Sequence, residues 1–277
     1  MRRSPRLCIV AALAWVCVLA PAREAAPGEF GDVVPRDARS ILAEAFANRY
    51  ELDLTSRIEL VMRNRLGEER RRVFHAAYKI IDGRVHSVGR LVWPHYLRGM
   101  TILTIEAPNR SHDAFVFLPS LGRVRRISTA QRGDSFFGSD VTYEDLERRR
   151  VEEYEIGGME ATRWRGEPVF VISARSLKDF SHARVVFVVA RSDAAILETR
   201  YFKRGQDTPY RLISSPRGEM VARDGHVLPT RLTVYNRIRG TSTEVTFDDL
   251  RVNPNIDDRL FTVTMLERDR KLVMFSD

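Results

Sequence analysis

The chain has 277 residues, 44% hydrophobic and 30% charged, with a formal net charge of +8. That length can bury a proper core without disulfides, and a modest basic surplus spread along the chain favours anionic surfaces slightly without demanding nucleic acid. Both cysteines, Cys8 and Cys17, fall in an N-terminal segment expected to be removed, which excludes thiol catalysis and cysteine-based zinc sites from the mature chain.

Arg2, Arg3 and Arg6 precede an uncharged run from Leu7 to Ala20, followed by the small-x-small site Ala20-Pro21-Ala22. This is the form of a secretory signal, so residues 1–22 are expected to be cleaved off. The run is shorter than the about 20 residues of a spanning helix, and neither cysteine has the setting of a lipid-attachment site. Residues 23–36, rich in Ala, Gly, Pro and charge, are expected to form a flexible leader. No later run reaches spanning length, so a soluble mature protein is expected.

Over Asp37–Tyr50, Ile41, Leu42, Ala45, Phe46 and Arg49 recur at helical spacing. Such a stripe either packs on a core or lies across the open face of a sheet. From Thr55 the period becomes two: Ile58, Leu60 and Met62 alternate with charged residues, Gly67-Glu68 turns the chain, and Val73–Ile81 follows. Asp82-Gly83 is a tight-turn signal that pairs Val73–Ile81 with Val85–Trp93, which Pro94 ends. Leu97–Ile105 is the next strand-like run, before Pro108-Asn109.

Phe115–Leu146 carries the densest information. Phe115–Leu118 and Arg123–Ile127 flank the turn residues Pro119-Ser120-Leu121-Gly122 and predict a hairpin. A polar loop, Ser128–Ser135, leads to Phe136 and Phe137, then Gly138-Ser139-Asp140. Thr142-x-x-Asp145 has the form of a capping box, which predicts a short helix near residues 140–148. Further strand-like runs are Val169–Ala174, Arg184–Ala190, Ile196–Lys203, Arg211–Val221, Val227–Asn236 and Glu244–Val252, with breaks at Gly157-Gly158, Gly205-Gln206-Asp207, Asp224-Gly225 and Arg239-Gly240. Short strands with frequent turns predict a mainly β, antiparallel sandwich or barrel in one domain, residues 37–277.

The order of a hairpin ending in Arg123-x-Arg125-Arg126-Ile127, a polar loop, and RGDSFFGSDVTYEDL from Arg132 to Leu146 resembles the outer-membrane lipoprotein-sorting proteins, which are similar to LolA and LolB. DAAILETRYF (193–202), LPTR (228–231) with Val234-Tyr235-Asn236, TEVTFDDL (243–250) and NIDDRLF (255–261) resemble later blocks of that family in the same order. The resemblance implies a half-open, strongly curved antiparallel β-barrel with covering helices, in the periplasm of a two-membrane envelope. It implies a non-enzymatic carrier or chaperone for acyl chains of lipids or lipoproteins, with an inner-membrane transporter as a further partner. A monomer without a cofactor is expected.

The residues themselves carry little catalytic chemistry. The six histidines lie in separate elements without metal-type spacing, and Ser135 lacks the G-x-S-x-G setting of a hydrolase nucleophile. Arg70-Arg71-Arg72 and Arg148-Arg149-Arg150 are mixed with glutamates and read as solvated faces, so no nucleic-acid partner is expected. Asp140 and Glu144 would repel unless a cation sits between them, and Arg123, Arg125 or Arg126 is expected to supply it and to pin Gly138-Ser139-Asp140 beside Tyr143 and Asp145. An acyl cavity would be lined by Ile58, Leu60, Met62, Phe74, Tyr78, Leu91, Trp93, Leu103, Phe115, Phe117, Phe136 and Phe137, each of which could equally be plain core. Phe136 and Phe137 form either a displaceable lid or an anchor for their loop. The alternative function is an envelope scaffold, or accessory protein of a transporter, with a closed interior.

Overall fold

The computed structural model describes residues 37–107, 112–177 and 181–268. The expected signal segment and leader lie outside the described residues, as do Pro108 and Asn109. The first element is helix α1, Ala38–Tyr50. Asp37 caps it, its carboxylate accepting the Ser40 amide at 2.8 Å and the Ser40 hydroxyl at 2.9 Å.

The strands in chain order are β1 Leu54–Arg63, β2 Glu69–Ile81, β3 Arg84–Trp93, β4 Thr101–Ile105, β5 Asp113–Leu118, β6 Arg123–Ile127, β7 Tyr154–Trp164, β8 Glu167–Ser176, β9 Arg184–Ala190, β10 Ile196–Phe202, β11 Arg211–Ser214, β12 Met220–Arg223, β13 His226–Pro229, β14 Arg231–Asn236 and β15 Thr241–Val252; α2, Val263–Arg268, ends the described chain. All but β12 and β13 form one antiparallel sheet of 13 strands in the order β6-β5-β4-β3-β2-β1-β15-β14-β11-β10-β9-β8-β7. The early and late halves join through β1 and β15, paired from Leu54↔Val252 to Arg63↔Ser242.

The sheet does not close into a barrel, because its edges, β6 and β7, do not pair with each other. Those edges are consecutive in sequence, and the crossover between them, residues 128–153, passes over the inner face. The short helix expected near residues 140–148 is instead a 3-10 turn, Tyr143–Leu146, although the capping box forms: the Thr142 amide and hydroxyl both donate to the Asp145 carboxylate, at 2.8 and 2.9 Å. The run Arg211–Val221 divides at Ser215-Pro216 into β11 and β12, since proline supplies no ladder N–H. Val227–Asn236 similarly divides into β13 and β14. Strand β7 shows no apolar alternation because it is an edge strand exposed for most of its length.

Tight turns follow local chemistry. Asp82 (φ 50°) and Gly83 (φ 72°) join β2 to β3 so that Ile81 faces Arg84, and Asp224 (φ 45°) with Gly225 (φ 81°) does the same between β12 and β13. Positive φ at both central residues matches the twist of the flanking strands, which Asp-Gly tolerates with little strain.

Alternation sends apolar side chains to both faces. On the inner face, Ile58, Leu60, Phe74, Ala76, Leu91, Ile102, Val116, Leu232, Val234 and Val245 cluster under Phe136. Further along, α1 lays Ile41, Leu42, Ala45 and Phe46 against Tyr154, Ile172, Phe187 and Tyr201. Phe46 meets Phe187 edge-on at 5.3 Å and Tyr154 at 5.8 Å between ring centroids. The helical stripe therefore does both things open to it, packing on the core by covering part of the inner face. On the outer face, Ala77, Val88 and Leu103 lie beneath Ile256, Phe261 and Leu266 of the C-terminal segment.

Candidate functional site

The inner face encloses a cavity of about 190 Å³ whose lining comes from both halves of the sheet, including Ile58 and Leu60 of β1, Phe74, Ala76 and Tyr78 of β2, Ile102 of β4, Phe187 of β9, Tyr201 of β10 and Val245 of β15. Strands so far apart in one sheet can share a cavity only if the sheet is strongly curved. The wall is mostly apolar, and the cavity is partly open. Such a surface suits a hydrocarbon chain, each buried CH2 of which contributes about 0.8 kcal/mol.

Of the candidate lining residues, the structure brings Ile58, Leu60, Phe74, Tyr78 and Phe136 to the cavity. Leu91 is in the same inner-face cluster but beneath its surface, and Phe137 packs beside it. Met62 is buried near the far end of β1, outside the cavity wall. Leu103, Phe115 and Phe117 are on the outer face, packed with Ile256 and Phe261. Ala114 and Val116 alternate with them to the other side. Trp93 is 53% exposed at the end of β3. The aromatics of β5 were the more attractive lining by size, but a period of two assigns a whole set to one face or the other and their neighbours took the inner one.

Phe136 stacks on Phe74 with centroids 5.3 Å apart and planes at 30°, while Phe137 reaches the same ring at 5.4 Å and Tyr143 meets Phe136 edge-on at 5.7 Å. Phe137 holds a left-handed backbone (φ 48°), followed by Gly138 at φ 82°. The reversal lets two successive aromatics reach one apolar surface, at a conformational cost that their packing offsets. In this structure both rings of the pair are packed on Phe74.

Arg123, Arg125 and Arg126 do not pin that loop. They are exposed on the edge strand β6, and Arg126 pairs with Asp113 instead. Asp140 is held by β15: its carboxylate accepts the hydroxyls of Thr241 at 2.6 Å and Thr243 at 3.0 Å, while its amide meets the Thr243 hydroxyl oxygen at 2.9 Å. Ser139 closes the turn by donating to the Phe136 carbonyl at 2.7 Å. The hydroxyls win because β15 passes directly beneath the loop, whereas β6 lies at the far edge of the sheet.

The cations near the crossover come from elsewhere, and Arg148-Arg149-Arg150 is not a solvated face. Arg149 is buried, donating to the hydroxyls of Tyr154 at 2.6 Å and Tyr201 at 3.2 Å and lying 3.6 Å from Asp145. Arg150 and Arg148 both reach the buried Glu106 beside β4, at 2.6 and 3.5 Å, and Arg148 also pairs with Glu51 after α1. Arg132 forms a two-pronged pair with Glu147. Arg211 of β11 pairs with Asp145. Burial alone would raise the Asp145 carboxyl, but the charge and hydrogen bond of Arg211, the charge of Arg149 and the Thr142 amide together hold it at about 2. Burial likewise disfavours a charged Glu144, which is outweighed by the His182 ring, its Nδ1 3.6 Å away, and by hydrogen bonds from the Ser181 amide and hydroxyl, so its pKa is lowered.

Arg149 and Arg211 were invisible as functional residues in the sequence. A run of three arginines flanked by glutamates has the same composition whether it is solvated or buried, and only the tyrosines of β7 and β10 distinguish the two. The capping-box residue Asp145 was the legible end of this network.

Among the described residues no cluster of His, Cys, Asp or Glu is arranged to hold a metal, and no helix is long and apolar enough to cross a membrane. A search of curated proteins finds no significant match. The fold is similar to that of a protein domain from Vibrio parahaemolyticus assigned to outer membrane lipoprotein sorting, with a TM-score of 0.77 and 21% identity over 83% of this chain and 98% of that one. It is similar to a DUF1329 family protein from Desulfovibrio piger, with a TM-score of 0.71 and 24% identity over 78% of this chain and 91% of that one. A LolA superfamily protein from Nitrosomonas europaea gives a TM-score of 0.65 and 18% identity over 82% and 98% of the two chains. None of these descriptions names an enzyme. A family model described as "Uncharacterized protein" matches residues 83–268, more than half of the sequence; the chain belongs to that family and has the LolA-like fold of the lipoprotein-sorting proteins.

Proposed function

We propose that the protein is a non-enzymatic carrier that binds acyl chains of lipids or lipid-modified proteins on the inner face of its curved sheet, working in the periplasm after export and delivering toward the outer membrane. The observation that supports this most is the cavity itself: an apolar wall drawn from both halves of the sheet, under a crossover anchored at Phe136 rather than filling the space. The likeness to lipoprotein-sorting folds supports the same ligand class. An inner-membrane transporter is the partner that such a carrier would load from. The scaffold alternative requires a filled interior, and the open cavity weighs against it.

The test is native mass spectrometry, with solvent extraction, of the protein purified without detergent from its own envelope. A stoichiometric lipid or acylated protein is the expected result. A bare polypeptide that also fails to take up fluorescent fatty acid would overturn the carrier reading and favour the scaffold.

A further inference from the structure

The charged groups around the cavity do not balance. Three arginines, Arg49, Arg148 and Arg149, and one carboxylate, Asp145, contribute to its lining. Asp145 is held by Arg211 and Arg149, and Arg148 is held by Glu51 and Glu106. Arg49, in the last turn of α1, is left over. Among the described residues its guanidinium makes no ion pair or hydrogen bond, and its contact is with the face of the Tyr50 ring, 5.7 Å from the centroid.

Tyr78 also lines the cavity, and its hydroxyl makes no hydrogen bond among the described residues. Burial pushes it up to about 12, with the Arg49 charge acting in the opposite direction, so the two groups share one electrostatic environment and Tyr78 stays a hydrogen-bond donor. A cation and a donor beside an apolar wall, neither answered among the described residues, make a complement for an amphiphile with a negative head. A neutral, fully esterified lipid would leave that charge unmatched.

We propose that the cavity takes an anionic amphiphile, its hydrocarbon tail against Leu60, Phe74 and Ala76 and its carboxylate or phosphate on Arg49, with the hydroxyl of Tyr78 as second donor. This rests on the carrier reading and narrows it to acidic lipids. Arg49 acts as a point of selection, since the apolar wall grips any chain alike while only the charged head gains from the guanidinium.

Calorimetric titration of the purified protein with dodecanoate, dodecyl phosphate and 1-dodecanol tests it. At least one anion is expected to bind about tenfold tighter than the alcohol, equivalent to about 1.4 kcal/mol, and the tighter of the two anions identifies the head group as carboxylate or phosphate. Arg49→Gln should remove that preference, bringing the anions to within about twofold of dodecanol, and Arg49→Lys should keep part of it. Equal binding of acids and alcohol by the wild-type protein would overturn the proposal while leaving the carrier reading intact, and this comparison does not depend on any variant folding. So would an Arg49→Gln protein that retains the full preference. Failure of all three ligands to bind would overturn both readings.

Discussion

Arg211 of β11 and Asp145 of the crossover, 66 positions apart in sequence, meet as a buried ion pair with side chains 1% and 7% exposed. The pair ties the crossover to the late half of the sheet, while Arg150 and Arg148 tie it to Glu106 in the early half. Removing one member of such a pair leaves a charge without its partner in a dry site. Arg211→Met is therefore expected to destabilise the protein by about 3–5 kcal/mol. The Asp145→Asn, Arg211→Met double variant should recover part of that loss in urea titrations. A double variant as unstable as the sum of the two singles would show that the pair has no coupling.

The same carboxylate sets an acid limit. The Asp145 carboxyl has an ordinary value of 3.8 and is held at about 2 in the fold. A depressed carboxyl contributes stability that is fully present above its unfolded value and disappears as the pH falls through its folded value. The contribution is on the order of 2 kcal/mol. Wild-type stability should therefore fall between about pH 4 and pH 2 more steeply than that of Asp145→Asn. Parallel slopes for the two proteins across that window would show that Asp145 is not the group responsible.

Thr243, fully buried, faces Asp140 with its hydroxyl. Thr243→Val keeps the shape but leaves the Asp140 amide and carboxylate short of a partner, at an expected cost of about 1–3 kcal/mol. Arg126→Ala removes an exposed ion pair with Asp113 and should cost less than about 1 kcal/mol. Thermal unfolding of the two variants side by side checks the order. A larger loss in Arg126→Ala would return the loop's anchorage to the β6 arginines.

Ala76 lines the cavity from the middle of β2. Ala76→Phe would place a ring in the space assigned to the acyl chain. Because the added atoms enter a cavity rather than a filled core, the stability change is expected to stay below the about 1–3 kcal/mol of ordinary overpacking. Ligand carried through purification should be lost, as read by solvent extraction and mass spectrometry. Undiminished lipid in a well-folded Ala76→Phe protein would place the acyl chain elsewhere.

Much of the architecture was legible. Ile58, Leu60 and Met62 announce β1 by their spacing, Asp82-Gly83 announces the turn into β3, and Asp37 caps a helix whose apolar stripe covers part of the inner face. The resemblance carried by RGDSFFGSDVTYEDL pointed to the LolA-like fold that the structural neighbours share. The half-open barrel is matched in part: the chain forms one large antiparallel sheet with few helices, and that sheet does not close. Whether the first and last strands of a curved sheet meet depends on twist accumulated over 13 strands, and here the crossover connects edges that remain apart.

What the sequence determined by itself is local: strand period, Asp-Gly turns and the Thr142–Asp145 capping box each depend on residues a few positions apart. Tertiary structure alone decided that Phe115 and Phe117 face outward, that Arg149 is buried between tyrosines, and that Arg49 lines the cavity without an ion pair among the described residues. The physical reason is that alternation offers two equivalent faces and an arginine offers one charge in any setting. Which face is covered, and which charge is matched, depends on strands such as β1 and β15, whose partners lie nearly two hundred residues apart in sequence.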